Sequence, residues 1–408
     1  MTRLQEIRER IRNKSAVVVT ASEFKKQISE SGQDKIIKDV DVVTCGTCGV
    51  MSGTYAVLSV PVASPGSFLR ADKVALNGVP AIPGPCPNER LGLVDLIVYG
   101  TAHASSSYGG GHLFRDIISN HEIHVDVTAE KKDFQADVHG HDLPHARLFT
   151  TRSTFKNYTA IINRSDKPEK TIFSTLPLAG KSREATVSGC GEINPIENDP
   201  SLRFLTPGTQ LLVNGGMGFV IGQGTRTSVA RPNIAVHGEM TSMDPDYCGG
   251  FLTSAGPECL TSIGTAIPLI DENVTAGLMI RDADIPMPVM DISNRQQVSC
   301  SSYDRVWTGT AGEIRYHPNN CLNCDPCLAE KICPVHAITG SGEIDHTRCF
   351  TCGTCVHLCK GKAYTGNLGT LDLPEGDVPI VLRQSDRQRG EKISQKAKEM
   401  ILKGEFQI

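Results

Sequence analysis

The sequence predicts an α+β protein: a mixed, strand- and loop-rich body, then a small cysteine-rich domain, then a tail. Three observations lead there. Short apolar runs alternate with breaks rich in glycine and proline, 39 and 23 of the 408 residues. Long helical patterns are scarce. Eight of the fifteen cysteines crowd between Cys321 and Cys359. A chain of this length exceeds what one ordinary core holds. The expected division is a body over 1–310, the cysteine-rich domain over 311–368 and a tail over 369–408, with the boundary near 309–317, just after the single tryptophan, Trp307.

Leu4, Ile7 and Ile11 recur at helical spacing, so the chain should open with an amphipathic helix before the apolar run 16–19. Ser22, followed by Lys25 and Ile28, suggests a second short helix with Ser22 as its cap. Strands are expected over 40–44, 55–60, 94–99, 123–127, 159–163, 210–213, 219–221 and 234–236. In the tail, Ile393, Ala397, Met400 and Ile401 share a helical face, which predicts a docked helix with no catalytic role.

The cysteines form two runs, Cys321-x2-Cys324-x2-Cys327-x5-Cys333-Pro334 and Cys349-x2-Cys352-x2-Cys355-x3-Cys359, which begin 28 residues apart. Three thiolates two residues apart can wrap three corners of an inorganic cube, and the fourth ligand then comes from the other run. On that rule one [4Fe-4S] cluster takes Cys321, Cys324, Cys327 and Cys359, and the second takes Cys349, Cys352, Cys355 and Cys333. This is the spacing of a ferredoxin-like 2[4Fe-4S] domain, and it fits neither a disulfide framework nor paired zinc sites. Two departures are the five residues before Cys333 and the lysine, Lys360, after Cys359. Such a domain passes electrons and implies an external electron donor.

Net charge is −4, with no long basic run or aromatic-basic stripe, which excludes nucleic acid and anionic membrane as favoured partners. No stretch approaches the ~20 apolar residues of a membrane span, and the first fourteen residues are charged where a signal peptide is apolar. A reducing cytoplasm is therefore expected, since exposed thiolates and low-potential clusters oxidise elsewhere. Composition leaves the oligomeric state open, a homo-oligomer included.

Seven cysteines remain in the body. Cys45-Gly-Thr-Cys48 follows an apolar run, so both thiols should project from a loop at a strand end, as a redox-active pair or half a metal site. Cys190 lies between Gly189 and Gly191, and glycines let a backbone approach a substrate. Cys86 sits between prolines near Arg90; Cys248, Cys259 and Cys300 have plainer settings. Seven of twelve histidines fall between His103 and His145, including His112 and His139-Gly-His141-x3-His145. These suit proton transfer or anion binding with Arg147 or Arg152 better than a helix-borne metal motif. Gly215-Gly216-Met-Gly218, with Arg226 further on, is either an anion nest or a hairpin turn. Neither glycine cluster has a dinucleotide or P-loop spacing.

Thr44-Cys-Gly-Thr-Cys48-Gly-Val-Met-Ser52-Gly, Gly189-Cys190-Gly191-Glu192-Ile-Asn194-Pro195 and Gly215-Gly-Met-Gly218, followed by the two cysteine runs, together resemble the methanogenesis marker protein 16 family. That family is a branch of the homocysteine-biosynthesis, sulfur-incorporation proteins. The resemblance implies reductive sulfur insertion into a small anionic aldehyde, with a sulfide or persulfide donor. The acceptor would be sulfoacetaldehyde, giving coenzyme M (2-mercaptoethanesulfonate), or aspartate semialdehyde, giving homocysteine. It implies a sulfur carrier at Cys190 or at Cys45 and Cys48. Some relatives carry a thiol where this chain has Met51 or Ser52.

The residues suit that chemistry. A body thiol presents sulfur, an acid such as His112, His141 or Glu192 assists dehydration, and Arg147, Arg226 or the Gly215–Gly216 loop holds the anionic group. A ferredoxin-linked oxidoreductase with a flavin, or a simple cluster carrier, would need either a dinucleotide loop or no reactive body.

Overall fold

A computed structural model of the chain describes residues 2–84, 86–156, 159–307 and 313–408, with side chains at all of these except 33–35 and 155. The opening helix forms over Arg3–Arg12, burying Ile7. The second, Ala21–Ser31, starts earlier than Ser22 predicts. Thr20 is its cap: the Thr20 hydroxyl accepts from the Glu23 N–H and the Glu23 carboxylate accepts from the Thr20 N–H, a reciprocal capping box. Ser22, inside the helix, instead donates to the Glu391 carboxylate.

All eight expected strands form, most of them longer than their apolar runs. Among the described residues, fourteen strands make one sheet and six make another. The large sheet begins with Val18–Thr20 parallel to Val42–Val50, and passes through Gly256–Pro268, Gln210–Val213, Gly216–Gln223, Asn233–Glu239, His145–Phe155, Thr54–Pro61 and Leu93–Tyr99. The small sheet runs from Gln297–Ser302 through Pro286–Asp291, Ala160–Ile162, Ala185–Val187 and Gly376–Arg383 to Thr370–Leu373. The architecture is thus mixed α and β, with many strands and few long helices.

Gly256–Pro268 is a long strand, buried from Pro257 onward, that no apolar run announced. It pairs antiparallel with Val42–Val50 from Leu260 opposite Val50 to Pro268 opposite Val42. The tail helix Arg387–Lys403 lies across both, burying Ile393, Ala397 and Ile401 as expected, with Met400 only partly covered. The approach is close: a Cβ at Gly46 would stand 2.1 Å from the Gly390 carbonyl oxygen, so only glycine fits there. The tail does more than dock a helix. Its strand Gly376–Arg383 runs parallel to Ala185–Val187 within the small sheet.

The cysteine-rich segment closes on itself where Arg315–Tyr316 pairs with Tyr364–Thr365. Short helices follow Cys327 and Gly353. Residues 308–312, on which part of the expected boundary falls, lie outside the described residues. Among the described residues no helix is long and apolar enough to cross a membrane.

Candidate functional site

Cys45 and Cys48 do not project from a loop. Both lie inside the strand Val42–Val50, and side chains three apart on a strand point to opposite faces. Cys45 packs with Phe24, Val43, Cys190 and Ile193; Cys48 packs with Phe251, Phe350, Cys352 and Leu382. The expected pair that resolves its own disulfide is therefore corrected by strand geometry. Burial pushes both thiols up to about 12.

Cys190 sits at the edge of that strand, its Sγ 3.5 Å from both the backbone N and O of Cys48. It is fully buried, which pushes its thiol up to about 11. Gly189 and Gly191 both have left-handed backbone, φ 115° and 64°. At Gly191 a Cβ would also meet the Asp282 carboxylate at 2.1 Å and the Tyr303 ring at 2.3 Å. The Gly189 N–H donates to Ser385 Oγ (2.8 Å), and the Tyr303 hydroxyl donates to the Gly189 carbonyl while accepting from Trp307 Nε1 at 2.6 Å.

Glu192, one residue past Gly191, is held in an ionic network. Arg387 pairs with Asp282 at 2.5 Å and with Glu192 at 3.5 Å, and the Glu192 N–H donates to Asp282 at 2.8 Å. Lys25, nearly fully buried, donates to the Glu192 carbonyl, and burial drags its ammonium down to about 8.

Directly outside Gly189, between the two sheets, lies a cavity of about 570 Å3. Its floor is Thr47, Gly49, Met51 and Ser52 from the cysteine strand and its turn, with Ser188, Gly189, Gln384 and Ser385. Arg152, Arg226 and Arg231 line it from the large sheet, and Arg295 beside Phe173 and Met290 from the small one. No carboxylate is among the described residues that line it. Burial first, and then Arg226, hold both Arg152 and Arg295 below the usual arginine range, which places these guanidinium groups within each other's field. Sequence reasoning named Arg226 for this site. It considered Arg152 only with the histidines and missed Arg231 and Arg295, because no local pattern joins four positions spread from 152 to 295.

Most of the other expected site residues are not gathered here. Arg147 lies on the same strand as Arg152, His145–Phe155, but pairs with Glu239 at 2.7 Å and does not line the cavity. Asn214 and Gly215, with φ 49° and 78°, make a two-residue hairpin turn that sets Val213 opposite Gly216, so this loop is turn chemistry. His112 is buried against Gly250, its Nδ1 accepting from the Gly109 N–H, and burial pushes it down to about 4. His141 is exposed on the far side of the sheet order, bonded to Asn120 at 2.7 Å. None of the three expected acids lines the cavity.

In the cysteine-rich segment, Cys333, Cys349, Cys352 and Cys355 ring one small apolar pocket with Ile314, Val335, Ile338 and Phe350. This is the four-thiol grouping that the ligand rule assigns to the second cluster. Backbone amides point at the sulfurs, Ala337 N to Cys333 Sγ at 3.2 Å and Thr351 N to Cys349 Sγ at 3.4 Å, the kind of hydrogen bond that tunes a cluster. In the other set, Asn323 N donates to Cys321 Sγ at 3.4 Å, and Cys321, Cys327 and Cys359 all pack on the core that holds Tyr364. Among the described residues no three such side chains converge tightly enough for a single ion. Four thiols around one pocket are the donor set that a [4Fe-4S] cluster takes.

The chain matches the family described as homocysteine biosynthesis enzyme, sulfur-incorporation, over residues 16–408. It is 43% identical over 407 residues to an uncharacterized protein of Methanothermobacter thermautotrophicus, covering 99% of this chain and 94% of that one. An uncharacterized protein of Methanocaldococcus jannaschii is 39% identical over 399 residues, 97% and 100% of the two chains. L-aspartate semialdehyde sulfurtransferases of Methanocaldococcus jannaschii and Methanosarcina acetivorans are more distant, 28% identical over 311 residues and 29% over 302. Each match covers 71% of this chain and 58% of the sulfurtransferase. No solved structure matches.

Proposed function

From the premise that this chain belongs to the homocysteine biosynthesis, sulfur-incorporation family, we propose that it converts a small anionic aldehyde to a thiol, with sulfoacetaldehyde as substrate and 2-mercaptoethanesulfonate (coenzyme M) as product. The observation that carries the choice is the cavity's charge: four arginines and, among the described residues, no lining carboxylate. A sulfonate offers three oxygens to guanidinium donors and carries no positive charge. Aspartate semialdehyde carries an ammonium group, which such a wall repels. Homocysteine formation, the second reading, is favoured by the names of the two distant sulfurtransferases.

Cys190 is the carrier best placed for the chemistry, since only the Gly189 peptide separates it from the cavity. Movement of the loop between its two left-handed glycines brings the thiol forward, and loss of burial beside arginines favours the thiolate. Sulfur then attacks the carbonyl to give a thiohemiacetal. Hydroxyls of Thr47, Ser52, Ser188 and Ser385 line the position where its oxygen leaves as water. Reduction to the thiol takes two electrons when sulfur enters at the sulfide level and four when it enters as a persulfide.

Cys321, Cys324, Cys327 and Cys359 would hold one [4Fe-4S] cluster and Cys349, Cys352, Cys355 and Cys333 the other; bound there, they supply single electrons at low potential, refilled by an external donor. A bonded link joins that region to the site. The Asp386 N–H donates to the Cys48 carbonyl at 3.0 Å, and its carboxylate accepts from the Thr351 hydroxyl at 3.3 Å, next to Cys352. Cys48 is thus a packed contact between the two regions.

Anaerobic incubation of the reconstituted protein with a sulfur source, reductant and each aldehyde in turn, with mass detection of the thiol, tests this. 2-Mercaptoethanesulfonate should form, and Cys190→Ala should lower its rate at least ~100-fold at unchanged iron content. Homocysteine without 2-mercaptoethanesulfonate would sink the substrate assignment; an unchanged rate in Cys190→Ala would sink the carrier.

A further inference from the structure

Side chains alternate along a strand, and an antiparallel sheet with one face on the core ordinarily turns a polar face to water. In the large sheet Leu58, Leu96, Leu148, Val220 and Val236 fill the main core on one side. The other side is apolar as well. Tyr99, Tyr55, Phe149, His237 and Phe219 stand opposite one another on five neighbouring strands. Their rings make one continuous row, with centroids 6.4, 5.3, 5.7 and 5.9 Å apart in that order. A second row beside it runs Ile82, Ile97, Val57, Arg147 and Glu239. Met217 and Ile221 flank Phe219 on its own strand. Among the described residues, none of these apolar side chains belongs to a core cluster.

The size of this face decides what it fits. Tyr99, Ile82, Ile221 and Phe219 are between 39% and 49% exposed, and Tyr55, Val57, Ile97, Phe149 and Met217 are half-buried. At ~200 Å2 for a large side chain, these apolar members present roughly 600 Å2, the top of the range for the largest patch on a monomer. With Arg147 and Glu239 the face comes near the ~800 Å2 that each partner gives to a standard interface. Its charge decides which partner. Arg147 and Glu239 are the Arg and Glu of the two rows, and they pair with each other at 2.7 Å. A contact between identical patches asks a surface to complement itself, which an internally paired apolar face does and a face of one sign does not.

We propose that this face is the contact of a homodimer, the same patch of a second copy packing on it sheet to sheet across a two-fold axis. Phe149, on the middle strand of the five, lies at its centre. The aromatic row supplies the anchors that dominate the energy of such contacts. The dimer also bears on the site. Thr151, two residues past Phe149 and on the same side of the strand His145–Phe155, lines the cavity, so the second copy stands beside it.

Sedimentation velocity of the reconstituted full chain under anaerobic conditions, at micromolar concentration, should show twice the mass of the chain. Phe219→Glu puts a charge into the row at an exposed position and should weaken association at least ~100-fold with circular dichroism unchanged. Ile221→Lys, on the same face, should do likewise. Leu402→Glu, similarly exposed but on the tail helix, should leave the dimer intact. A photoreactive p-benzoylphenylalanine in place of Phe149 should, in isotope-mixed protein, attach one copy to the strands of this face on another. That readout needs no disruptive charge, so it decides the matter even where a charged variant fails to fold. A monomer at every concentration tested would overturn the proposal. So would a dimer that survives both Phe219→Glu and Ile221→Lys, or attachment between copies at a different surface.

Discussion

The two cysteine runs share the spacing of their first three thiols and have unlike surroundings. In the second, Phe350 is fully buried and meets Phe251 edge-on at 5.2 Å, and Arg389 donates to the carbonyls of Thr347, Arg348 and Cys349. The equivalent position in the first run is Leu322, 64% exposed, beside the exposed Cys324. Both runs repeat one backbone device: Asn323 and Thr351 have left-handed φ, 48° and 51°, and each N–H points at the Sγ two residues back, at 3.4 Å. The spacing of the first three ligands is therefore common to both runs, while docking against the body belongs to one. On the proposed function, the docked run delivers electrons to the site, and the solvent-facing run receives them from the external donor.

The largest expected effect separates the two equivalent apolar positions. Phe350→Ala removes a side chain shared by the cores of both regions and should cost about 4 kcal/mol. Leu322→Ala, at an exposed position, should change stability by less than ~0.5 kcal/mol. Anaerobic urea unfolding of the two variants measures the contrast, and equal losses would show that docking is not what distinguishes the runs.

Arg389→Gln should come next, at about 3 kcal/mol, because it leaves the buried Asp386 carboxylate without its cation. Burial already holds Asp386 above the usual carboxylate range, and Arg389 is the largest influence opposing that rise. An acid with a raised folded pKa costs the fold little at pH below its unfolded value, and progressively more as pH climbs from there towards the folded one, above which the cost is constant. Removing Arg389 raises Asp386 further, so the deficit of the variant should grow as pH climbs above the unfolded carboxylate value. A deficit independent of pH would assign the role of Arg389 to its carbonyl contacts alone.

The same contrast explains what the sequence disclosed. The apolar runs 55–60 and 234–236 mark strands, and each strand buries one face and not the other. The strand Gly256–Pro268 escaped notice because it is buried on both faces by small residues, Ser262, Gly264 and Thr265 among them, where a helix backbone presses on it. The four-thiol pocket was legible because its ligands repeat at short range along the chain. The cavity was not. Arg152, Arg231 and Arg295 come from two sheets, and only the folded arrangement makes them neighbours of Gly189. Cys45 and Cys48 misled for a related reason: CxxC reads as a loop motif, yet the glycine within it, Gly46, serves a strand crossed closely by Gly390.

The smallest effect tests the device that both runs share. A β-branched residue is strained in the left-handed region, whereas asparagine adopts it readily. Thr351 nevertheless occupies that conformation, and its hydroxyl donates to the buried Asp386 carboxylate. Thr351→Val keeps the shape and removes the donor, so it should cost about 1.5 kcal/mol, the scale of a bond to a charged acceptor. Asn323→Thr places the same strained residue in the run where nothing buried accepts from it, and should cost about 1 kcal/mol. If Asn323→Thr proves neutral, the left-handed turn is cheap for threonine, and the Asp386 bond is then not needed to explain why the second run tolerates Thr351. If Thr351→Val is the neutral one, the bond joining the cysteine loop to Cys48 is a contact of geometry and not of energy.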